Sequence, residues 1–124
     1  MTGEELVARA EETAARAYAP YSNYLVGAVL TTRDGRVFEG VNVENAAYPL
    51  GVCAERTAIA KAASEGVRPG DVEAIGITAS PCGGCRQWLH EWRVERVWFR
   101  RADGTIAEYG ADELLPDTWD LPEA

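Results

Sequence analysis

Cys53-Ala54-Glu55 and Pro81-Cys82-Gly83-Gly84-Cys85 decide the organisation of this 124-residue chain, because they contain all three of its cysteines. Thiolates at C-x-x-C spacing bind soft divalent metals, above all zinc. Structural zinc sites usually have four protein ligands, whereas catalytic sites have three and keep one position for water. The one histidine, His90, lies five residues past Cys85 and is expected to point along a helix, away from the metal. We therefore predict three thiolates, an open position and Glu55 beside it.

The composition limits the classes of function that this chain can have. Its length predicts one compact domain over residues 1–124. The sequence is 47% hydrophobic and 26% charged, which is typical of soluble proteins. No apolar run approaches the roughly 18 residues that a membrane span needs, and the N-terminus does not resemble a signal peptide. We expect a cytoplasmic protein, where thiols stay reduced.

The net charge of −8 argues against a nucleic-acid partner, because binding to a phosphate backbone requires a basic surface. Four arginines, at positions 93, 96, 100 and 101, could form a local basic strip. Such a cluster is more often a solvated edge of the fold, and we favour that interpretation. The charge balance therefore favours a small neutral substrate.

Local sequence patterns predict the secondary structure around the cysteines. Thr2 and Glu5 form a capping-box pattern at a helix start, and Asp34-Gly35 and Asp103-Gly104 are hairpin signals. The predicted elements are a helix over residues 3–18, strands over 25–32 and 36–42, a helix over 53–65, a strand over 73–79, a helix from about 83, strands over 94–101 and 105–109, and a helix over 111–115.

The last hairpin constrains the topology. A two-residue turn at Asp103-Gly104 can join only antiparallel strands. We therefore predict a five-stranded mixed sheet flanked by helices, with its last two strands antiparallel. Cys53 and Cys82 both lie at predicted helix starts, where free backbone N–H groups and the helix dipole favour thiolates.

Six short motifs, in order along the chain, resemble those of the small, all-cysteine cytidine deaminases. They are Ala19-Pro20-Tyr21-Ser22-Asn23, Val26-Gly27-Ala28, Asn42-Val43-Glu44-Asn45, Cys53-Ala54-Glu55-Arg56-Thr57, Cys82-Gly83-Gly84-Cys85-Arg86-Gln87 and Leu114-Leu115-Pro116. A C-x-x-C pair alone is weak evidence, but the ordered set is specific. The resemblance implies a three-layer α/β/α fold and a zinc-dependent hydrolase that converts cytidine and 2′-deoxycytidine to uridine and 2′-deoxyuridine in pyrimidine salvage.

The resemblance implies that Cys53, Cys82 and Cys85 hold the zinc and that Glu55 is the proton shuttle. Glu55 would take a proton from the attacking water, pass it to the ring nitrogen and later protonate the departing amine. Elsewhere, a glutamate near a helix start usually serves the helix dipole. Three thiolates weaken zinc as a Lewis acid, so we expect Arg56 to donate hydrogen bonds to the sulfurs. The alternative is a surface arginine.

The predicted substrate contacts lie before the metal helix and at its start. Asn42 and Glu44 are two residues apart at a strand end, so both side chains can leave one face. The resemblance implies that they bind the ribose 3′-hydroxyl, although Asn42 could simply form a turn. Tyr24 matches a position, usually phenylalanine, that stacks on the pyrimidine. Ala54 is also implied to contact the substrate.

Two further aromatic residues are implied to act across subunits. Tyr48 matches a residue contributed by an adjacent chain, and Trp119 falls where the family's C-terminal aromatic reaches a neighbour's pocket. The resemblance thus implies a homotetramer with pockets at its interfaces. Trp88, Trp92 and Trp98 are interpreted as core or interface bulk.

Alternative functions remain open from the sequence. The same chemistry could act on another aminopyrimidine nucleoside, such as blasticidin S, and the short segment between Ile75 and Cys82 leaves the strictness of a cytidine preference open. Asn42 and Glu44 favour cytidine. The net charge opposes nucleic-acid editing, and Glu55 opposes a structural zinc module. Free nucleosides are favoured over nucleotides because no phosphate-binding motif is present.

Overall fold

The computed structural model describes residues 1–121, and residues 122–124 of the predicted domain lie outside the described part. The elements are α1 (Gly3–Ala14), β1 (Gly27–Thr32), β2 (Val37–Val41), a 3-10 turn (Tyr48–Leu50), α2 (Ala54–Ser64), β3 (Val72–Ile77), α3 (Gly83–Glu91), β4 (Arg96–Arg100), β5 (Ile106–Tyr109) and α4 (Ala111–Leu114). Every predicted helix and strand is present, mostly in shorter form. Within residues 1–121, no helix has the length and apolar character needed to cross a bilayer.

The five strands form one mixed sheet in the order β2-β1-β3-β4-β5. β3 and β4 run parallel, with Ile75 opposite Val97. All other neighbouring strands are antiparallel. In the last pair, Val97 lies opposite Tyr109, so the topology predicted for the final hairpin is confirmed.

Buried side chains of β1 alternate between two apolar layers, one on each face of the sheet. Val29 packs with Leu6 and Ala10 of α1. Leu30 belongs to the larger layer, which includes Ile59 of α2 and side chains from α3 and α4. Successive side chains of a strand point to opposite faces, so helices cover both faces of the sheet. The architecture is the three-layer α/β/α arrangement that the sequence predicted.

The first turn of α2 lies unusually close to β2 at Gly40. A Cβ atom at this position would lie 2.4 Å from the backbone nitrogen of Ala58 and 2.5 Å from the carbonyl oxygen of Ala54. Glycine is therefore required at this position, because any side chain would push α2 away from the sheet. The close contact brings the helix turn that carries Glu55 next to the end of β2, where Asn42 follows.

α1 ends at Ala14, four residues before the predicted end. The chain then makes single turns, in which the Arg16 N–H donates to the Thr13 carbonyl. Tyr18 leaves the helix because its N–H donates to the Asn42 carbonyl at 3.1 Å and it forms a bridge with Val43. Pairing with a distant extended segment overrides the local helical pattern.

Glu39 of β2 ties the sheet to α1. Its carboxylate accepts hydrogen bonds from Arg16 Nη2 at 2.8 Å, Arg9 Nε at 3.0 Å and Thr13 Oγ1 at 3.0 Å. These bonds, chiefly the one from Arg16, lower the pKa of Glu39 from 4.5 to about 2. The ionised carboxylate therefore stabilises the folded state fully above pH 4.5, and this contribution is lost as the pH falls through 2.

Replacing Glu39 with glutamine is expected to lower the free energy of unfolding at pH 7 by roughly 1.5–3 kcal/mol, the usual range for hydrogen bonds to a charged group. Urea denaturation of both proteins measures this loss. Glu12→Gln, at an exposed position of α1, is the control and should change stability little. The difference between wild type and Glu39→Gln should shrink at pH 3. An equal difference at both pH values would contradict an ionic origin.

Candidate metal centre and active site

The three cysteines converge from two helix N-termini. Cys53 is the N-cap residue of α2, Cys82 is the N-cap residue of α3, and Cys85 lies in the first turn of α3. Their Sγ atoms all lie within 4.8 Å of one another, and those of Cys53 and Cys82 are 3.9 Å apart. A tetrahedral zinc ion with Zn–S bonds of about 2.3 Å requires sulfur–sulfur separations of about 3.8 Å. The cluster therefore fits zinc with little adjustment.

The pKa values of the cysteine thiols also favour a bound zinc ion. A hydrogen bond from the Cys85 thiol lowers the pKa of Cys53 to about 6. The neighbouring Cys53 sulfur and burial raise the pKa of Cys85, so the two thiols do not ionise independently. All three thiols can ionise together only when a cation offsets the repulsion between them. Zinc is the divalent ion that three thiolates suit best.

Glu55 lies beside this cluster, in the first turn of α2, and is only 3% exposed. Burial, above all, raises the pKa of this carboxyl group, and the neighbouring charge of Cys53 adds to the effect. A carboxylate with a raised pKa gains and loses protons more readily near neutral pH than a solvated one. This environment suits the proton shuttle that the sequence predicts at this position.

Arg56 packs against the start of α3. Its Nη2 atom fills the space above Gly84, where a Cβ atom would lie only 2.2 Å from it. Its Nε atom is buried and finds no hydrogen-bond acceptor among residues 1–121. The guanidinium lies near Cys85, whose thiolate would be such an acceptor. This placement agrees with the predicted role better than with that of a surface arginine.

A cavity of about 390 Å³ opens next to the cysteines and Glu55. This volume lies in the range of about 300–1,000 Å³ that is usual for small-molecule sites. Cys53, Cys82 and Glu55 line it, together with five further predicted site residues: Tyr24, Asn42, Glu44, Tyr48 and Ala54. The other lining residues are Val26, Val43, Gly51, Val52, Ile77, Ala79 and Ser80.

Asn42 braces the wall of this cavity. Its Oδ1 atom accepts from the Val26 N–H, and its Nδ2 atom donates to the Tyr24 carbonyl, both at 2.8 Å. Both bonds reach residues 16 and 18 positions earlier in the chain, so this structural role differs from the local turn that the sequence left as an alternative. An amide has two donors and two acceptor sites, so one of each remains for a ligand.

Glu44 carries a carboxylate that several donors hold in place. Its Oε1 atom accepts from the backbone N–H groups of Tyr21 and Ser22, at 3.0 and 3.1 Å, and Oε2 accepts from the Ser22 hydroxyl. These bonds, chiefly that from the Ser22 hydroxyl, lower the pKa of Glu44. Glu44 therefore presents an ionised acceptor to the cavity.

Of the aromatic residues predicted to contact the substrate, two line the cavity and one does not. Tyr24 and Tyr48 line the cavity, although they are 62% and 82% exposed in the single chain. Trp119 is 66% exposed and does not line the cavity of its own chain. Trp92 and Trp98 pack against the two apolar layers, while Trp88 is 38% exposed.

His90 lies apart from the metal cluster, as predicted. Its Nε2 atom lies 2.7 Å from an Asp120 carboxylate oxygen, and Gln87 Nε2 donates to the Trp119 carbonyl at 3.3 Å. Together these residues of α3 hold the C-terminal segment against the protein.

The arginine strip is largely occupied by neighbours on the protein. Arg96 lies 3.5 Å from Glu108, and Arg100 lies 3.0 Å from Glu11. Arg101 donates to the Tyr109 hydroxyl at 3.1 Å. These partners support a solvated edge rather than a phosphate-binding surface.

Two serines near the cavity were not assigned a role from the sequence. Ser22 bonds to Glu44 and also accepts from the Tyr24 N–H at 3.0 Å. Ser80 lines the cavity and accepts from Arg86 Nη2 at 3.1 Å. A serine two residues after a proline is a turn signal, but only the folded chain brings Ser22 to a glutamate 22 positions later.

Comparison with known proteins places these features in a family. Residues 1–101 match the family described as the cytidine and deoxycytidylate deaminase zinc-binding region. The cytidine deaminase of Halalkalibacterium halodurans is 44% identical, over 94% of this chain and 92% of that protein.

Solved structures give the same result. The cytidine deaminase of Burkholderia pseudomallei superposes with a TM-score of 0.89 at 43% identity, covering 96% of this chain and 100% of that one. The enzyme of Mycobacterium tuberculosis gives a TM-score of 0.81 at 34% identity, covering 98% and 99%. The likeness therefore extends over nearly the whole chain, and this chain belongs to the cytidine and deoxycytidylate deaminase family.

Proposed function

We propose that this chain is a zinc-dependent cytidine deaminase, which hydrolyses cytidine and 2′-deoxycytidine to uridine and 2′-deoxyuridine in pyrimidine salvage. The observation that carries this proposal is a cluster of three cysteine sulfurs beside a cavity that Cys53, Cys82 and the buried carboxylate of Glu55 line. Relatives named cytidine deaminase, at 40–44% identity, support the choice of substrate. We also propose that residues 1–124 form a single catalytic domain.

In this proposal Cys53, Cys82 and Cys85 hold the zinc, and Arg56 donates to their sulfurs. Zinc with three protein ligands keeps a position for water and lowers the pKa of that water. The carboxylate of Glu55 accepts a proton from the attacking water and delivers it to the ring nitrogen N3. The hydroxide oxygen adds to C4, and Glu55 then accepts the second proton from the new C4 hydroxyl and gives it to the amine. The C4–N bond breaks as the C4=O bond forms, and the amine leaves as ammonia.

The remaining cavity residues bind the nucleoside in this proposal. Tyr24 packs on the pyrimidine, Ala54 contacts the base, and the free amide positions of Asn42 face the ribose. The ionised carboxylate of Glu44 accepts from a ribose hydroxyl and repels phosphate, which favours nucleosides over nucleotides. With a net charge of −8, the chain is not expected to bind nucleic acid.

We propose that the protein is a homotetramer in which Tyr48 and Trp119 complete the pockets of neighbouring subunits. Tyr48 and Val52, which line the cavity, are 82% and 40% exposed, and Leu50 between them in the sequence is 70% exposed. Apolar side chains grouped in this way usually mark an interface. Three reduced thiols as ligands also suit the cytoplasm, where we place the enzyme.

Light scattering on the zinc-loaded protein is expected to give a mass about four times the chain's 13.5 kDa. Leu50→Arg should split this assembly, because it places a charge in the apolar contact, and should reduce activity with it. A fully active wild-type monomer would contradict the assembly and any role of Trp119 in a neighbour's pocket.

A substrate panel tests the proposed function. Cytidine, 2′-deoxycytidine, dCMP and blasticidin S are incubated with the purified enzyme, and the loss of ultraviolet absorbance on deamination is followed. Cytidine and 2′-deoxycytidine are expected to have the highest kcat/KM values. A higher kcat/KM for dCMP than for cytidine would contradict the assignment of a nucleoside substrate. A higher kcat/KM for blasticidin S would make that antibiotic the preferred substrate.

A further inference from the structure

Three of the proposed substrate contacts are joined by one hydrogen-bonded network. The Ser22 hydroxyl donates to Glu44 Oε2 and accepts from the Tyr24 N–H at 3.0 Å. The Tyr24 carbonyl in turn accepts from Asn42 Nδ2 at 2.8 Å. Ser22 is therefore the side chain that links the carboxylate of Glu44 to the backbone of Tyr24.

The hydroxyl of Ser22 has a particular effect on Glu44. An ionised carboxylate offers about four acceptor sites, and Tyr21 and Ser22 occupy three of them in this structure. One acceptor site remains, and because Glu44 lines the cavity, a ligand in the cavity can occupy it. A carboxylate that rotated freely would point toward the cavity for only part of the time.

Glu44 also lies at the junction of two cavities. A second cavity of about 310 Å³, lined by Tyr21, Ser22, Glu44, Asn45, Tyr48 and Gly51, shares Glu44, Tyr48 and Gly51 with the cavity beside the cysteines. Because an ionised carboxylate only accepts hydrogen bonds, a substrate group between the cavities must be a donor. A hydroxyl or an amine on the substrate can donate a hydrogen bond to Glu44. An ether oxygen, a deoxy position or an ionised phosphate cannot.

We propose that Ser22 is a positioning residue that sets the preference for a nucleoside with a free 3′-hydroxyl, by fixing the carboxylate of Glu44. This inference rests on the proposed function, which places the ribose against Glu44. It adds a residue that contacts no reacting atom and acts through Glu44. It also predicts that removing the Ser22 hydroxyl weakens the binding of ligands with a ribose 3′-hydroxyl more than the binding of ligands without one.

The test compares Ser22→Ala with wild type on two pairs of ligands. The dissociation constant of uridine, measured by calorimetry, is expected to rise about tenfold, as for the loss of one hydrogen bond to a charged group. That of 2′,3′-dideoxyuridine should change less than about twofold, because it has no 3′-hydroxyl for Glu44 to bind. The kcat/KM values for cytidine and 2′,3′-dideoxycytidine should follow the same pattern, with the loss for cytidine mainly in KM.

Two further variants separate positioning from folding. Ser22→Thr keeps a hydroxyl and should restore uridine binding to within about threefold of wild type. Ser64→Ala removes a hydroxyl that donates to Ala60 on α2 and should leave all four ligands unaffected. Equal losses on hydroxylated and dideoxy ligands, or no loss on either, would overturn the role of Ser22. Wild-type protein that bound neither uridine nor cytidine would instead refute the proposed function.

Discussion

Glu55→Gln is expected to reduce the turnover of cytidine by at least about 10²–10⁴-fold, the usual cost of losing a general acid–base group. The larger end is expected, because one carboxylate serves several proton transfers in turn. Glutamine has nearly the same shape, and Glu55 is not among the proposed zinc ligands. Zinc content, fold and oligomeric state should therefore be unchanged.

Three measurements on one preparation of Glu55→Gln distinguish the possible roles of this residue. Elemental analysis should give full zinc, and calorimetry should give nearly unchanged uridine binding, because Tyr24, Asn42 and Glu44 are intact. Glu65→Gln, at the exposed end of α2, is the matched control and should retain activity. Loss of zinc would make Glu55 a ligand, and turnover within about threefold of wild type would reject its role as the shuttle.

Replacing Cys53, Cys82 or Cys85 with alanine is expected to abolish stoichiometric zinc binding. The chain contains no other cysteine, so no spare thiol can complete the site. Bound structural zinc typically contributes about 10–16 kcal/mol in small domains, and a site with two thiolates should lose most of its affinity. The variants should also melt at lower temperature and show no activity.

His90→Ala is the matched control for the cysteine variants, since histidine is the other common zinc ligand in proteins. Its ring pairs with Asp120 rather than with the cluster, so this variant should keep one zinc per chain. Full zinc retention in any of the cysteine variants would remove that cysteine from the ligand set. Zinc loss in His90→Ala would show that the site extends beyond the three sulfurs.

The sequence was most informative where local chemistry determines the structure. Asp34-Gly35 and Asp103-Gly104 predicted both hairpins, and Gly35 and Gly104 adopt positive φ values of 90° and 92°. The capping box of Thr2 and Glu5 is present at the start of α1. These features depend on a few neighbouring residues, so the sequence alone determines them.

The end of α1 could not be predicted in this way. The helical pattern continues past Ala14, but Tyr18 pairs with Asn42 and Val43. This bridge joins residues more than 20 positions apart in the sequence, and a local pattern contains no information about it.

For the candidate site, too, the sequence predicted the features set by local residues but not those that depend on the folded chain. Cysteine spacing and the position of Glu55 predicted the metal cluster, because both halves lie at helix N-termini. The sequence did not predict that Asn42 would brace the cavity wall or that Ser22 would hold Glu44. Both roles depend on side-chain orientations that arise only after the loop of residues 20–24 packs against residues 42–44.

Hydrolysis of cytidine in oxygen-18 water tests the central claim most directly. The zinc-loaded enzyme is predicted to release one ammonia per cytidine and to form uridine that carries one oxygen from the solvent at C4, as mass spectrometry would detect. This outcome requires that the C4–N bond is broken and that the new C4–O bond comes from water. A protein with one zinc per chain that forms no uridine from cytidine, or forms uridine without the label, would contradict the account.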